Sequence, residues 1–228
     1  MSRCGVRSAR VAHRSDRPDL TFGGVAIADI CGKLRAWHDQ YPDPSGQADQ
    51  NAAARAAEDE RLSRFAGLQV LDRNQVAELV RWKFQSMPHR EALAMKGISP
   101  QRWHARDGAP GVADLIRIAL ATDDDYDALA TMAARGSGID HFGPAMSSVV
   151  LAACRPTRYT IADSRALHAL RALGLLPQGQ PSFRLDDWVP YLTACRNLAS
   201  QCRLTLRQVD RALWIAASDP DSQPTAGT

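Results

Sequence analysis

The chain has 228 residues, 45% of them hydrophobic, enough for one or two compact domains with a buried core. Its formal net charge of +3 permits nucleic-acid binding without requiring it. No run approaches the twenty apolar residues of a membrane span, and the basic N-terminus lacks the apolar stretch of a secretory signal, so the reading is a soluble, cytoplasmic protein.

Taken in order, residues 1–20 carry Arg3, Arg7, Arg10, Arg14 and Arg17 with little apolar content. They read as a flexible basic arm, either solvated or touching a DNA backbone. Residues 21–27 suit a short strand, on which no sheet is built. Residues 28–41 form a helix with Ile30, Leu34 and Trp37 at helical spacing. The break YPDPSG follows, then an alanine-rich solvated helix over 47–64 and an apolar connector over 65–71.

Residues 73–87 form a helix, with Asn74 as its expected N-cap and Val76, Leu79, Val80, Phe84 and Met87 on one face. Lys83 falls inside that apolar stripe, and Trp82 falls on the polar side with Gln75, Glu78 and Gln85. Two adjacent violations of the binary pattern mark a candidate functional position. The competing reading is a lysine snorkelling from the core edge, with Trp82 packed on another helix. Residues 88–107 are connective, with a short helix at 90–96; Trp103, His104 and Arg106 either approach DNA or pack a loop. After a break at 108–111, a helix over 112–122 carries Leu115, Ile116 and Leu120.

Residues 123–134 form a helix with Leu129, Met132 and Ala133 on one face, and 136–143 form a tight turn. Pro144 suits the first position of the next helix, 145–154, where a missing N–H costs nothing. A loop containing Pro156 leads to Asp163, at the N-cap position of a helix over 164–173. The pattern is helix, hairpin, helix. Backbone N–H groups near Ala145 and Met146 are candidates for a phosphate, helped by the hydroxyls of Ser147 and Ser148 and by His141. Such contacts position a nucleic acid and do not read its sequence. Asp163 reads as a cap, or as an anion facing positive charge that develops on a sugar.

A loop over 174–182 follows, then a helix capped by Asp186 or Asp187 and running through Trp188, Tyr191 and Leu192 to residue 198. A last amphipathic helix covers 206–217, with Asp210 read as a surface residue and Trp214 as structural; 219–228 read as disordered. The cysteines are Cys4, Cys31, Cys154, Cys195 and Cys202, without a CxxC pair, and are expected to be free thiols. Cys195 and Cys202 are expected on one helix face, two turns apart. No histidine pair has zinc-ligand spacing, so no metal is expected.

The stretch from 123 to 173 resembles the helix-hairpin-helix, Gly/Pro-rich loop and aspartate motif of the HhH-GPD superfamily of DNA glycosylases. Ile139, Asp140, His141, Phe142 and Gly143 stand where that family reads Leu-Pro-Gly-Val-Gly. The second glycine is kept as Gly143, and the first is replaced by His141. Ala145 stands where lyase-active members carry a lysine, and Asp163 follows eighteen residues on, at the family's aspartate. The resemblance implies an all-α fold of two helical lobes, 21–111 and 112–218, with a cleft between them. It also implies a monomer that binds double-stranded DNA through the hairpin, flips a nucleotide, and hydrolyses its N-glycosidic bond with Asp163, leaving an abasic site. Trp82 and Lys83 would line the base pocket, Lys83 as a pocket residue or as a nucleophile. The iron–sulfur cluster of some relatives needs four cysteines; here none follows Cys202, so no cofactor is expected. A compact, cluster-free group to which the chain is similar excises glucosylated hydroxymethylcytosine from phage DNA. Oxidised, alkylated and mismatched bases are the alternatives, and a non-catalytic DNA-binding module is the rival from another class.

Overall fold

The computed structural model describes residues 21–218, apart from 23, 24, 106 and 134–137. The basic arm, the C-terminal tail, Arg106 and the start of the tight turn lie outside the described residues. Thr21–Phe22 (β1) and Val25–Ala26 (β2) pair as a minimal antiparallel hairpin. Everything else regular is helical: α1 Ile27–Gln40, α2 Ala48–Ser63, α3 Arg73–Phe84, α4 Pro88–Gly97, α5 Pro100–Trp103, α6 Val112–Ala121, α7 Asp125–Ala133, α8 Pro144–Cys154, α9 Ser164–Ala172, α10 Trp188–Cys202 and α11 Leu206–Ala216. The class is all-α, as the spacing of apolar residues requires.

The caps explain several boundaries. α3 is capped by Asp72, not by Asn74: Asp72 Oδ1 accepts from the Gln75 N–H, and Gln75 Oε1 accepts from the Asp72 N–H, each at 2.8 Å. This reciprocal box satisfies two orphan donors, which an Asn74 cap would leave open. Thr205 and Gln208 repeat the device at α11. Asp163 caps α9 as expected, with Oδ1 2.8 Å from the Arg165 nitrogen. Before α10 the chain makes one 3-10 turn, Leu185–Asp187. Asp187 makes no side-chain bond to α10; it accepts from the Arg184 N–H and pairs with Arg171.

α8 is buried nearly all round, from Met146 through Val149, Val150 and Leu151 to Cys154, which marks it as a central helix. α7 and α3 pack on it. α11 is the second organising helix. It packs on α9, α10 and, most extensively, α1, so the first helix joins the C-terminal elements. A disulfide between Cys31 on α1 and Cys202 at the end of α10 closes that contact, with Cα atoms 5.0 Å apart. The expectation of free thiols is therefore wrong for this pair: 171 residues of sequence separate partners that folding makes neighbours. Cys154 and Cys195 are free and buried. Cys195 and Cys202 do share α10 and are both buried.

Gly97 shows how the hairpin is seated. A Cβ there would lie 2.0 Å from the carbonyl oxygen of Asp140, so α4 touches the hairpin through a glycine. Because the obstacle is backbone, Gly97→Ala should cost about 3 kcal/mol in thermal or denaturant unfolding. A loss under about 1 kcal/mol would mean the hairpin is free to shift away from α4.

Candidate active site

Distant parts of the chain converge on one pocket of about 580 Å³. α3 supplies Trp82 and Lys83; α8 supplies Ala145; the start of α9 supplies Asp163 and Arg165; α11 supplies Arg207, Asp210 and Trp214. Tyr41 and Glu58 close one side. The volume lies in the range of small-molecule sites.

Lys83 and Asp163 are eighty residues apart in sequence, and in the fold Lys83 Nζ lies 3.3 Å from Asp163 Oδ2. The lysine side chain is 14% exposed and the aspartate 23%. The stripe violation on α3 thus has a physical cause. Val76, Leu79, Val80 and Phe84 bury against the core, while Lys83, on the same face, reaches past its edge to a carboxylate. Asp163 uses one oxygen for the cap and the other for the lysine, so one carboxyl meets both a helix N-terminus and an ammonium. Trp82 is half-buried, with the Arg207 guanidinium 5.4 Å from its ring centroid. Arg165 lies 4.6 Å from the ring centroid of Trp214.

The loop carrying Asp163 is pinned from three sides. The Tyr191 hydroxyl donates to the Ile161 carbonyl at 3.0 Å, Thr160 donates to Leu206, and the Ala162 N–H donates to Ser148 Oγ at 2.7 Å. Ser148 also donates to the Ala145 carbonyl. This corrects the expectation for the two serines. Both are fully buried, so neither hydroxyl can reach a phosphate; Ser148 instead holds the residue before Asp163. Met146 is corrected for the same reason: its side chain is buried and its N–H donates to Gly143. α8 is central, so in its N-terminal half only Pro144 and Ala145 are partly exposed.

His141 and Gly143 are exposed at the hairpin and Ala145 is half-buried. His141 has φ +64°, the left-handed conformation that favours glycine. The backbone therefore makes a glycine-like turn at a residue that is not glycine. Gly143 has ordinary φ, and a Cβ added there would meet nothing within 4 Å, so neither strain nor internal crowding requires glycine. A close approach from outside would. The Ala145 amide lies in the first turn of α8, where no intrahelical acceptor exists. Asp140 pairs with Arg102. Trp103 is buried and packs its loop, while His104 is exposed beside the hairpin.

Sequence reasoning missed Asp210. It is 4% exposed, not at the surface, and it pairs with Arg207. Burial raises its carboxyl to about 6, against the opposing pull of Arg207 and Lys83; Asp163 and Glu58 push it further up. The signal was present in the pattern, since Asp210 directly follows Val209 on the apolar side of α11. Arg207 also pairs with Glu58. Burial opposes its charge, but Asp210 and Glu58 more than restore it. Burial raises the Tyr41 hydroxyl to about 12.

Among the described residues no group of three His, Cys, Asp or Glu is placed to hold a metal, and no helix is long and apolar enough to cross a membrane. No protein-family model matches the chain, and no curated protein or solved structure shows a significant match to it.

Proposed function

We propose that the chain is a monofunctional DNA glycosylase acting as a monomer on double-stranded DNA. The observation that carries this reading is the placement of Asp163, at a helix N-terminus and 3.3 Å from Lys83, inside a pocket walled by Trp82 and Trp214. A flipped nucleotide entering that pocket would meet aromatic faces for its base and a carboxylate for its sugar. As the C1′–N bond lengthens, positive charge builds on the deoxyribose, and a fixed anion stabilises it with little reorganisation. Asp163 also accepts a proton from the attacking water. Exposed His141, Gly143 and the first-turn amide of Ala145 would meet the DNA backbone. Ala145 offers no amine at the position of the family's lyase lysine, which favours water as nucleophile.

The substrate this reading favours is glucosylated hydroxymethylcytosine in phage DNA, which would make the protein a defence enzyme. It rests on the resemblance, and a pocket of about 580 Å³ leaves room beyond a bare base. The working compartment would be the cytoplasm. The test is base release from duplexes carrying glucosylated hydroxymethylcytosine, 8-oxoguanine, alkylated bases or mismatches, read by alkali-induced strand cleavage. Release from one of them identifies the substrate. Salt-dependent duplex binding without release from any would favour a non-catalytic binding module.

Lys83 supports a second reading. An amine in the pocket can attack C1′ itself and form a Schiff base. Borohydride should then trap a covalent protein–DNA adduct that Lys83→Gln abolishes. The monofunctional reading expects no adduct, because Lys83 is held by Asp163 at 3.3 Å.

A further inference from the structure

Besides Asp163 and Glu58 the pocket holds the carboxyl of Asp210, on a different helix from either and in a different environment. Asp210 Oδ2 accepts a hydrogen bond from Arg207, and among the described residues Oδ1 has no hydrogen-bond partner. The groups facing it come from every side. α3 brings Lys83, the start of α9 brings Asp163, α2 brings Glu58, and α11 itself brings Arg207. Tyr41 and α10's Tyr191 and Cys195 also lie within its field. Burial raises the hydroxyls and the thiol, so those three are neutral near pH 7. The charged neighbours then balance without Asp210: Lys83, Arg207 and Arg211 against Asp163, Glu58 and Asp59, with Arg211 pairing with both Glu58 and Asp59. Ionising Asp210 would add an unmatched anion to a cluster whose charges already balance. Asp163 differs because its charge is met directly by a helix N-terminus and by Lys83.

We infer that Asp210 is the general acid of this site, entering the reaction protonated at Oδ1 and delivering that proton to the departing base while Asp163 remains the anion. The inference rests on the glycosylase reading and assigns a proton donor that the hairpin-and-aspartate motif does not supply. The step balances without any co-reactant beyond water. The C1′–N electron pair leaves with the base, which takes the Asp210 proton. Water oxygen bonds to C1′, and its proton goes to Asp163. Transfer of that proton from Asp163 to Asp210 resets the pair. Two carboxyls held in different surroundings are the usual means of doing acid and base chemistry in one site. Arg207 fits this assignment, since a charged donor on Oδ2 leaves the proton on the other oxygen.

Asp210→Asn keeps the acceptor for Arg207 and removes the transferable proton. The test is single-turnover base release from pH 5 to 8 by wild type, Asp210→Asn and Asp163→Asn, with duplex binding and thermal unfolding checking that each variant folds. Carboxyl ¹³C titration of the aspartates in the full chain gives a readout independent of turnover. The expected result is a wild-type rate that falls as pH rises through about 6, and a folded Asp210→Asn that is slower by about a hundredfold at pH 6 and lacks this pH dependence. The Asp210 carboxyl should titrate near the same pH. Wild-type release with an unchanged rate and pH profile in Asp210→Asn would overturn the acid role and leave the glycosylase reading intact. An Asp210 carboxyl ionised across the whole range would do the same. No release by wild type from any duplex would overturn the glycosylase reading and the acid role with it.

Discussion

Asp163→Asn should bind duplex DNA within about twofold of wild type and release base roughly a thousandfold more slowly, the scale for removing a preorganised charge from a transition state. Asparagine caps a helix nearly as well as aspartate, so the Arg165 N–H keeps its acceptor and α9 keeps its start. The substitution also leaves Lys83 without its ion-pair partner. Both side chains are partly exposed, so the stability loss should be about 1 kcal/mol and the protein should still fold. A large loss of rate with small changes in binding and melting separates catalysis from capping. If Asp163→Asn releases base at the wild-type rate, the aspartate is a cap and nothing more. Measuring duplex affinity over a salt series in parallel keeps the backbone contacts of the hairpin apart from the chemistry.

The second large effect concerns stability. Breaking the Cys31–Cys202 bond, by reductant or by Ser at both positions, should lower the melting temperature by about 10 °C, corresponding to roughly 4 kcal/mol. The partners are separated by 171 residues, so the crosslink removes a large share of the freedom of the unfolded chain. It also holds α1 against α10 beside the contact of α1 with α11, whose Arg207 and Asp210 line the pocket. Without reductant, the denatured chain should expose two fewer reactive thiols than with it. Equal thiol counts and equal melting in both conditions would show that the two cysteines are unpaired in solution.

Much of the architecture was legible because helices advertise themselves locally. The 3.6-residue spacing of Ile30, Leu34 and Trp37, the glycine–proline step at Gly143 and Pro144, and an aspartate before Ser164 each depend on neighbours within a turn or two. They predict α1, α8 and α9 to within a residue or two. The same kind of signal singled out Lys83, since a charge in an apolar stripe is visible without knowing what lies opposite. Asp72 was missed for a smaller reason: the cap stands two residues earlier, and the glutamine of the box was read only as part of a polar face.

What the sequence by itself determined is the helical class, the approximate extents of most helices, and two chemically conspicuous positions, Lys83 and Asp163. Only the tertiary structure decided that those two meet at 3.3 Å, that Asp210 is buried beside them, that Ser148 braces the loop and not a ligand, and that Cys31 pairs with Cys202. The physical reason is range. Periodicity and capping are set within one or two turns of chain, whereas burial, ion pairing and a disulfide depend on which helices pack together. That outcome belongs to the summed packing of all the apolar faces, and no single segment carries it.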